Sequence, residues 1–262
     1  MAEAFRLLRI FMRVSVLAEL QYRTNLYIQI FRSGLSLATG LAGLGVVFSH
    51  ASNLAGWRPG DLLVVLGVYY VISGVVRFAI QPAMERLMED VRTGTFDYVL
   101  TKPGDSLVLV SVRATAVWRL IDVALGGAVI TYAMTRGDAV AGPWDVAAFI
   151  VGMLAAVVTV YSFLVILSTL SFWFVRLENI LVIFQSMYEA GRWPVEIYPG
   201  WLRAALTFVV PVAFAVTVPA GALAGRVGPE MLAGAVALAI TLAVIARRFW
   251  FVGLRHYAGA SA

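Results

Sequence analysis

Hydrophobic residues run through this chain in long blocks that short polar segments separate. Most of the blocks hold about 20 residues, the length that an α-helix needs to cross roughly 30 Å of hydrocarbon at 1.5 Å per residue. Six blocks are predicted as membrane-spanning helices, at residues 27–48, 62–81, 106–134, 146–175, 202–223 and 231–245. The pattern therefore predicts an all-α polytopic membrane protein with six transmembrane helices.

A basic amphipathic segment precedes the first block. Arg6, Arg9 and Arg13 cluster on one helical face, and apolar residues such as Leu7 and Phe11 lie on the opposite face. A helix divided in this way lies in the membrane interface, and its basic face favours the anionic cytoplasmic leaflet. We expect an interfacial helix at residues 1–24. Because the segment lacks the apolar region and small-residue cleavage site of a signal peptide, we expect no cleavage there.

The segment at residues 85–103 is the long polar interruption in the first half of the chain. Its first part has apolar residues at i, i+3, i+4 and i+7 and charged residues on the other faces, which predicts a short amphipathic helix with an Arg86–Asp90 pair at i,i+4. A helix this short does not cross a bilayer. We therefore expect a cytoplasmic surface helix whose charged side chains meet a soluble partner, although a plain solvated loop explains the composition about equally well.

The end of the same segment contains several helix-boundary residues. Gly94 suits the left-handed conformation that follows a last helical turn, and Thr95 to Leu100 is predicted to be extended. Pro103 opposes helix until Asp105 and Ser106 begin the next one as caps. The 85–103 segment is thus predicted as a helix, an extended stretch and a new helix start.

A second surface helix is predicted within residues 178–200. Glu178, Gln185, Glu189 and Arg192 form one narrow polar stripe on an otherwise apolar helix. Prolines and a glycine then end the helix before the fifth predicted span. That span itself contains Pro211 and Pro219.

The positions of the arginines predict the orientation in the membrane. The loops on one side carry only Arg58, Arg136 and Arg226, whereas the segments on the other side and both ends of the chain share about a dozen positive residues. We therefore expect both termini and both surface helices to face the cytoplasm.

The composition agrees with a single membrane domain over residues 1–262. Hydrophobic residues make up 61% and charged residues 13% of the chain, and the mean hydropathy is +0.87, far from the roughly one-quarter charged residues of a soluble domain. The absence of cysteine excludes disulfides and thiolate sites. The net charge of +5 is more typical of topology signals and lipid contacts than of nucleic-acid binding, so we expect membrane lipids and no nucleic acid as partners.

Catalytic chemistry is disfavoured by the residues that are missing. The chain has one lysine, Lys102, and no glycine-rich loop precedes it, so it lacks a nucleotide-binding P-loop. His50 and His256 are predicted on opposite sides of the membrane and cannot share a metal or a proton relay. We expect no enzyme activity, metal or cofactor in this chain itself.

Three ordered motifs resemble one protein family. The segment RTGTFDYVLTKP, residues 92–103, looks like the R-x-G-x-x-D-x-x-L-x-x-P segment that follows the second span in exporter-type (type 2, ABC-2) ABC transporter permeases, in a bacterial branch that includes drug and viologen exporters. Residues 198–225, with paired prolines, are similar to the fifth span of that branch. The ending GLRHYAGASA is similar to its G-L-x-x-Y-x-x-A-S tail.

The resemblance covers essentially the whole chain and implies an ATP-driven exporter of the bacterial inner membrane. It implies two permeases, this chain with a second copy or a sister permease, and two ATP-binding subunits that hold ATP and magnesium. The expected substrate is hydrophobic or amphipathic, drug-like or lipid-like. The residues expected to couple this chain to the ATP-binding subunits are Arg86, Glu89, Asp90, Arg92, Gly94, Thr95, Asp97, Glu178 and Glu189.

Charged residues inside the predicted spans suggest a translocation path. Counted along the spans, Arg32, Arg77, Arg119 and Asp122 share one layer about 6 to 10 Å inside the cytoplasmic boundary, and Arg119 and Asp122 are spaced to pair. These side chains either line an inner vestibule or hold spans together and reach toward the interface. The candidate path residues are Arg77, Arg119, Asp122, Pro211 and Pro219.

Two other functions remain open from the sequence. One is a membrane-bound enzyme that acts on lipid, which would turn over a lipid without any ATP-binding partner. The other is a non-transporting scaffold that only recruits a partner, which would support no ATP-dependent uptake into vesicles.

Overall fold

The computed structural model describes residues 23–50, 53–136, 142–174, 177 and 179–257. The predicted interfacial helix at residues 1–24 lies outside this part, apart from its last two residues. The predicted coupling residue Glu178 also lies outside it. Within the described residues the protein is helical and contains no β-strand.

The described part contains eleven α-helices, joined by shorter 3-10 and π segments. The helices are α1 (Arg23–His50), α2 (Pro59–Val75), α3 (Gln81–Thr93), α4 (Asp97–Leu100), α5 (Ser106–Val112), α6 (Leu120–Arg136), α7 (Pro143–Thr169), α8 (Ile180–Tyr188), α9 (Gly200–Ala204), α10 (Val218–Leu223) and α11 (Pro229–His256). Five helical stretches in this part are long and apolar enough to cross a membrane: Tyr27–His50, Pro59–Thr93, Val117–Thr135, Pro143–Phe172 and Pro229–His256. The prediction of an all-α polytopic membrane protein is confirmed.

Three of the long helices begin with the same local chemistry. Pro59, Pro143 and Pro229 stand in their first turns, where proline loses no hydrogen bond that the helix would make. The carboxylates of Asp61 and Asp145 accept hydrogen bonds from the backbone N–H groups just before α2 and α7, at 3.1 and 2.8 Å. A carboxylate also suits the positive end of the helix dipole. Hydrogen bonds from Trp144 to the carbonyl oxygen of Val227 and from Arg226 to that of Gly56 bring the predicted outer loops together at one end of the bundle.

Glycines allow α2 and α6 to pack with their backbones in contact. A Cβ atom on Gly67 would lie 2.9 Å from the carbonyl oxygen of Gly126, and one on Gly126 would lie 2.6 Å from the carbonyl oxygen of Gly67. About two turns further along α2, a Cβ on Gly74 would lie 2.8 Å from the backbone nitrogen of Val123. Small residues permit this approach in a membrane, where packing rather than water exclusion holds helices together.

The second span and the predicted surface helix form one continuous helix. From Pro59 to Thr93, α2, the π segment Val76–Ile80 and α3 extend over 35 residues, or about 52 Å. The separate surface helix predicted from Glu85 is therefore the end of a membrane helix. Gly94 ends it in the left-handed conformation, at φ 72°, as predicted. The predicted extended stretch after it is wrong, because Asp97–Leu100 forms the helical turn α4.

The third predicted span is interrupted. Residues 106–134 were expected as one helix, but α5 ends at Val112 and helix resumes only at Val117. In the gap, the N–H of Ala116 donates to the carbonyl oxygen of Phe78 at 2.8 Å. Phe78 lies in the π segment of the second span. Its carbonyl oxygen therefore accepts the backbone N–H that the break in the third span leaves without a helical partner.

The fifth predicted span is also interrupted. Residues 202–223 divide into α9, the π segments Ala205–Val209 and Ala213–Thr217, and α10, with a break at Val210 and Pro211. Pro211 has no N–H to continue a helical ladder. These pieces are each too short to cross a bilayer alone.

The helix predicted within residues 178–200 packs against the second span and the interrupted fifth span. It consists of α8 and the 3-10 turn Glu189–Arg192, and Tyr188 stacks on Tyr69 of α2 with 5.7 Å between ring centroids. Tyr69 is near the middle of the apolar part of its helix. Further along, a Cβ on Gly191 would lie 2.8 Å from Val212 of the interrupted segment. The helix was predicted, and these contacts pack one of its faces against the bundle, while Val182 and Ile183 remain exposed.

Candidate functional site

The end of α3 is built around the buried carboxylate of Asp90, which is 2% exposed. One carboxylate oxygen lies 3.1 Å from Nε of Arg86 and accepts a hydrogen bond from the hydroxyl of Thr95, also at 3.1 Å. The other oxygen accepts a hydrogen bond from the guanidinium of Arg113. The backbone carbonyl of Asp90 accepts from the N–H groups of Thr95 and Phe96 at 2.9 and 3.1 Å. We call Asp90, Arg86, Arg113 and Thr95 the junction.

The junction joins two membrane helices across a turn of the chain. Asp90 and Arg86 belong to the end of the second span, whereas Arg113 stands at the break in the third span. A buried carboxylate that accepts a hydrogen bond from one guanidinium group and forms an ion pair with a second one holds both helices in one relative position. The predicted Arg86–Asp90 pair is present. The Asp90 side chain is enclosed, however, and does not face solvent, where the predicted soluble partner protein would meet it.

Aromatic rings hold the turn after Gly94 against other helices. Phe96 and Trp250 are both 0% exposed and stand edge to face at 6.2 Å, and Phe172 and Tyr257 complete the cluster. Burial raises the pKa of Tyr257 to about 12, and the nearby carboxylate of Asp97 adds to the effect. The cluster keeps the turn fixed to α11 and to the end of α7.

Asp105 caps α5 as predicted and also binds another helix. Its carboxylate accepts from the N–H groups of Leu107 and Val108 at 3.0 and 3.3 Å, and it pairs with Arg247 of α11. The hydrogen bond from Arg247 is the main reason that the pKa of Asp105 is lower than usual. The start of the third span is therefore tied to the last helix.

The outward side of this region carries charged and apolar side chains together. Glu89 and Arg92 form a two-pronged ion pair on α3, with nitrogen to oxygen distances of 2.7 to 3.0 Å, and both side chains are nearly half exposed. Tyr98 is 74% exposed, and Leu100 is 42% exposed. We call these four exposed residues, Glu89, Arg92, Tyr98 and Leu100, the outward face. The name refers to their exposure and not to the outer side of the membrane. Tyr98 was not predicted from the sequence as a functional residue, although its place in the polar segment was a signal.

Charged side chains also meet inside the membrane bundle, in what we call the polar layer. Arg119 lies 3.5 Å from Asp122 and over the ring of Trp118, at 3.7 Å from its centroid. The side chain of Asp122 is only 5% exposed. Arg32 and Arg77 lie close enough to Arg119 for the positive charges of the three side chains to interact. The predicted Arg119–Asp122 pair is present, and the other two residues of the predicted layer lie near it, while the depth of this layer in the membrane stays a prediction.

A second group in the polar layer joins α2 to the helix α8 region. Glu189 lies 3.9 Å from Arg77 and 4.0 Å from Arg192. The amide of Gln185, turned with its oxygen toward Arg77, accepts a hydrogen bond from Nε at 3.0 Å. Arg192 also lies over Tyr69, at 5.4 Å from the ring centroid. Glu189 was predicted as a coupling residue, whereas the structure brings it together with the path candidate Arg77.

The two path prolines lie in the interrupted segment. Pro211 is buried at the break between the two π segments, and Pro219 is buried in the first turn of α10. A Cβ on Gly152 of α7 would lie 3.4 Å from Cα of Pro219. The two prolines are therefore packed within the bundle, and neither is among the residues of the polar layer.

Sequence reasoning missed Arg113 at the junction. Arg113 stands 23 residues after Asp90, and no spacing rule connects residues so far apart. The observation that could have indicated it is an arginine near the cytoplasmic end of an apolar block, where a charge needs a partner.

The comparison with known protein families covers most of the chain. A family model described as "ABC-2 family transporter protein" matches residues 35–261, which is all but the first 34 residues and the last one. No curated protein and no solved structure matches the chain.

Proposed function

The chain belongs to the ABC-2 transporter family, and we propose that it is the permease half of an ATP-driven exporter in a bacterial inner membrane. Membership in the family supports a permease that associates with ABC ATP-binding subunits. In our proposal two such subunits bind ATP with magnesium, and a second copy of this chain or a sister permease completes the transporter. The substrate is hydrophobic or amphipathic, either drug-like or lipid-like.

The observation that carries the proposal is the 35-residue helix from Pro59 to Thr93 with the junction at its end. A permease without a nucleotide site is driven only if closure of its partners changes the relative stability of its inward and outward states. A rigid part must therefore transmit the movement. The long helix extends from the membrane to the outward face, and the junction fixes it to the third span. A push on the outward face would move both spans together.

The polar layer fits the expected translocation path. Its carboxylates and arginines lie between α2, α6 and the α8 region, and several distances between charges are close to 4 Å. Charged groups inside a membrane bundle are costly, and they are found along substrate and ion pathways. The layer gives an amphipathic substrate a polar contact at one end, while the apolar residues around it contact the rest of the molecule.

The coupling step is tested on the outward face. The variant Glu89→Arg with Arg92→Glu exchanges the two charges, so the helix keeps an i,i+3 pair while the pattern presented to a partner is reversed. We expect it to fold normally and to lose co-purification with its cognate ATP-binding subunit, along with substrate-stimulated ATP hydrolysis in proteoliposomes. Glu230→Ala, an exposed change at the opposite end of the bundle, is the matched control and leaves both unchanged. Normal association and hydrolysis in the exchanged variant would contradict coupling through this face.

The proposed orientation is tested by labelling. The chain has no cysteine, so single cysteines report on one site each. Cysteines at positions 52, 138 and 228, in the predicted outer loops, should react with an impermeant thiol reagent in intact cells, and one at position 261 should not. The reverse pattern would place the outward face on the side without ATP.

A further inference from the structure

The break in the third span opens a basic cavity beside the junction. The cavity has a volume of about 390 Å³ and is lined by Arg86, Arg113, Ala114 and Thr115. Two of these four residues are arginines, and none is acidic. The cavity lies where the chain is not helical, because α5 ends at Val112 and the next helical turn begins at Val117.

The charge around the cavity is unbalanced. Both arginines pair with the single carboxylate of Asp90, which leaves one positive charge in excess among the three groups. A guanidinium has five N–H donors, and the pairs with Asp90 use only part of them. Nε of Arg113 is buried and has no hydrogen-bond partner within the described residues. Arg86 pairs through its own Nε, so its terminal nitrogens remain available as donors.

The depth of the cavity indicates which anion reaches it. Arg86 stands 27 residues after Pro59 on one continuous helix, which is about 40 Å along the axis. A bilayer is about 40 to 45 Å thick with its headgroups, and membrane helices tilt by about 20°. The cavity thus lies at the level of lipid headgroups at the end of the helix opposite the outer loops. In the proposed orientation, these headgroups belong to the cytoplasmic leaflet.

We propose that this cavity binds the phosphate of an anionic phospholipid through Arg86 and Arg113. Phosphate oxygens accept the fork of N–H groups that a guanidinium presents, and a negative headgroup balances the excess charge. Bound lipid then touches both arginines of the junction and stabilises the joint between the second and third spans. The site is separate from the outward face and from the polar layer.

Arg86→Gln tests the site without dismantling the junction. Arg86 is 60% exposed in its side chain, and Asp90 keeps its bonds to Arg113 and Thr95 in this variant. Arg92→Gln is the matched control, because Arg92 lies on the same helix and does not line the cavity. Each purified protein is titrated with phosphatidylglycerol in detergent micelles, and the Tm and the lipid retained in native mass spectra are recorded. Circular dichroism and size-exclusion profiles confirm folding of each variant.

We expect phosphatidylglycerol to raise the Tm of the unchanged protein and of Arg92→Gln at similar lipid fractions. Arg86→Gln should need about five times more lipid for the same shift, since one arginine near a membrane surface contributes about that factor. Arg86→Lys, which keeps the charge without the fork, should fall between the two. Phosphatidylcholine and inorganic phosphate should produce little shift.

Four results would overturn the proposal. Equal losses in Arg86→Gln and Arg92→Gln would indicate general attraction of the basic surface, and no shift with phosphatidylglycerol would exclude a lipid site. An equal shift with inorganic phosphate would reassign the cavity to a free anion. If Arg86→Gln retained its lipid but lost its ATP-binding subunit, the cavity would belong to a protein partner. That last result leaves the permease function intact, so the two proposals fail separately.

Discussion

The junction and the polar layer use the same residue types in different ways. At the junction, both oxygens of the buried Asp90 carboxylate are engaged, by Arg86, Arg113 and Thr95, and the side chain is 3% exposed. In the polar layer, Glu189 is 49% exposed in its side chain and stands 3.9 and 4.0 Å from two arginines. Each oxygen of the first carboxylate accepts a hydrogen bond, one from Thr95 and the other from Arg113, whereas the second carboxylate is shared at distances longer than a hydrogen bond.

The difference indicates what each region does. A buried carboxylate with every partner in place resists rearrangement, because any movement strands a charge at a cost of several kcal/mol. A half-exposed carboxylate shared between two arginines moves from one to the other at little cost. The junction is suited to transmit a force, and the polar layer is suited to change its contacts while a substrate passes. Four predictions test this comparison.

The largest effect is expected from Asp90→Asn. The amide keeps the shape of the side chain but leaves the guanidinium of Arg113 mostly buried without a counter-charge, so we expect a loss of about 3 kcal/mol in the free energy of unfolding. The measurement is denaturation by SDS from mixed micelles. Glu89→Gln, on the exposed pair of the same helix, should cost less than about 0.5 kcal/mol. Equal costs in the two variants would mean that the junction is no more rigid than the surface.

The next effect concerns the packing that holds the polar layer. A Cβ on Gly74 would lie 2.6 Å from Cγ2 of Val123 and 3.2 Å from Cβ of Asp122, so Gly74→Ala forces α2 and α6 apart beside the Arg119–Asp122 pair. We expect a loss of about 1 to 3 kcal/mol in the same assay. Gly127→Ala on α6 is the control, because nothing lies within 4 Å of its Cβ position. At that position alanine should be neutral or stabilising, since alanine favours the helical conformation more than glycine does.

A smaller effect is expected for the coupling of Arg119 and Asp122. Their charged atoms are 3.5 Å apart, and the Asp122 side chain is 5% exposed. In a double-mutant cycle with Arg119→Gln and Asp122→Asn, the double variant should cost about 1 kcal/mol less than the sum of the single variants, because neither change then leaves a lone charge. Strict additivity would show that the two charges are not coupled and that the Arg119 side chain extends to the membrane interface. The polar layer would then have one ion pair fewer.

The smallest effect is a pH dependence of the protein's stability that comes from the Asp105–Arg247 pair. Arg247 lowers the pKa of Asp105, so the charged carboxylate is favoured in the folded state. Its contribution is present above the ordinary pKa of 3.8 and is lost as the pH falls below that value. Because Arg247 is 45% exposed, we expect less than about 0.5 kcal/mol. Arg247→Gln should flatten this part of the stability curve measured between pH 3 and 6, and an unchanged curve would show that the pair contributes nothing.

Features that depend on near neighbours in the chain were predictable. The amphipathic end of the second span, the stop at Gly94, the cap at Asp105 and the pairs Arg86–Asp90 and Arg119–Asp122 all follow from spacings of at most four residues. These spacings place side chains on one helical face or at one helix end, whatever the rest of the fold does. The helix content and the membrane class follow from the same local patterns.

Features that depend on distant residues were not predictable in this way. Arg113 meets Asp90 across 23 residues, and Arg77 meets Glu189 across a far longer separation. The breaks in the third and fifth predicted spans were also missed. Pro211 was a signal for the break in the fifth span, but the apolar block of the third span shows no sign of a break, because its freed backbone group is satisfied elsewhere. The bond from Ala116 to Phe78 is an example, since its acceptor lies in a different helix.

The membrane class, the helical class and the local charge pairs follow from the order of the residues alone, because hydrophobicity and helical periodicity act between near neighbours. Helix packing, by contrast, makes the second span continue to the outward face as one helix, encloses Asp90 and brings Glu189 to Arg77. Burial and long-range pairing are properties of packed helices. A side chain that looks free on an amphipathic helix becomes the centre of a junction only when a second helix brings Arg113 to it.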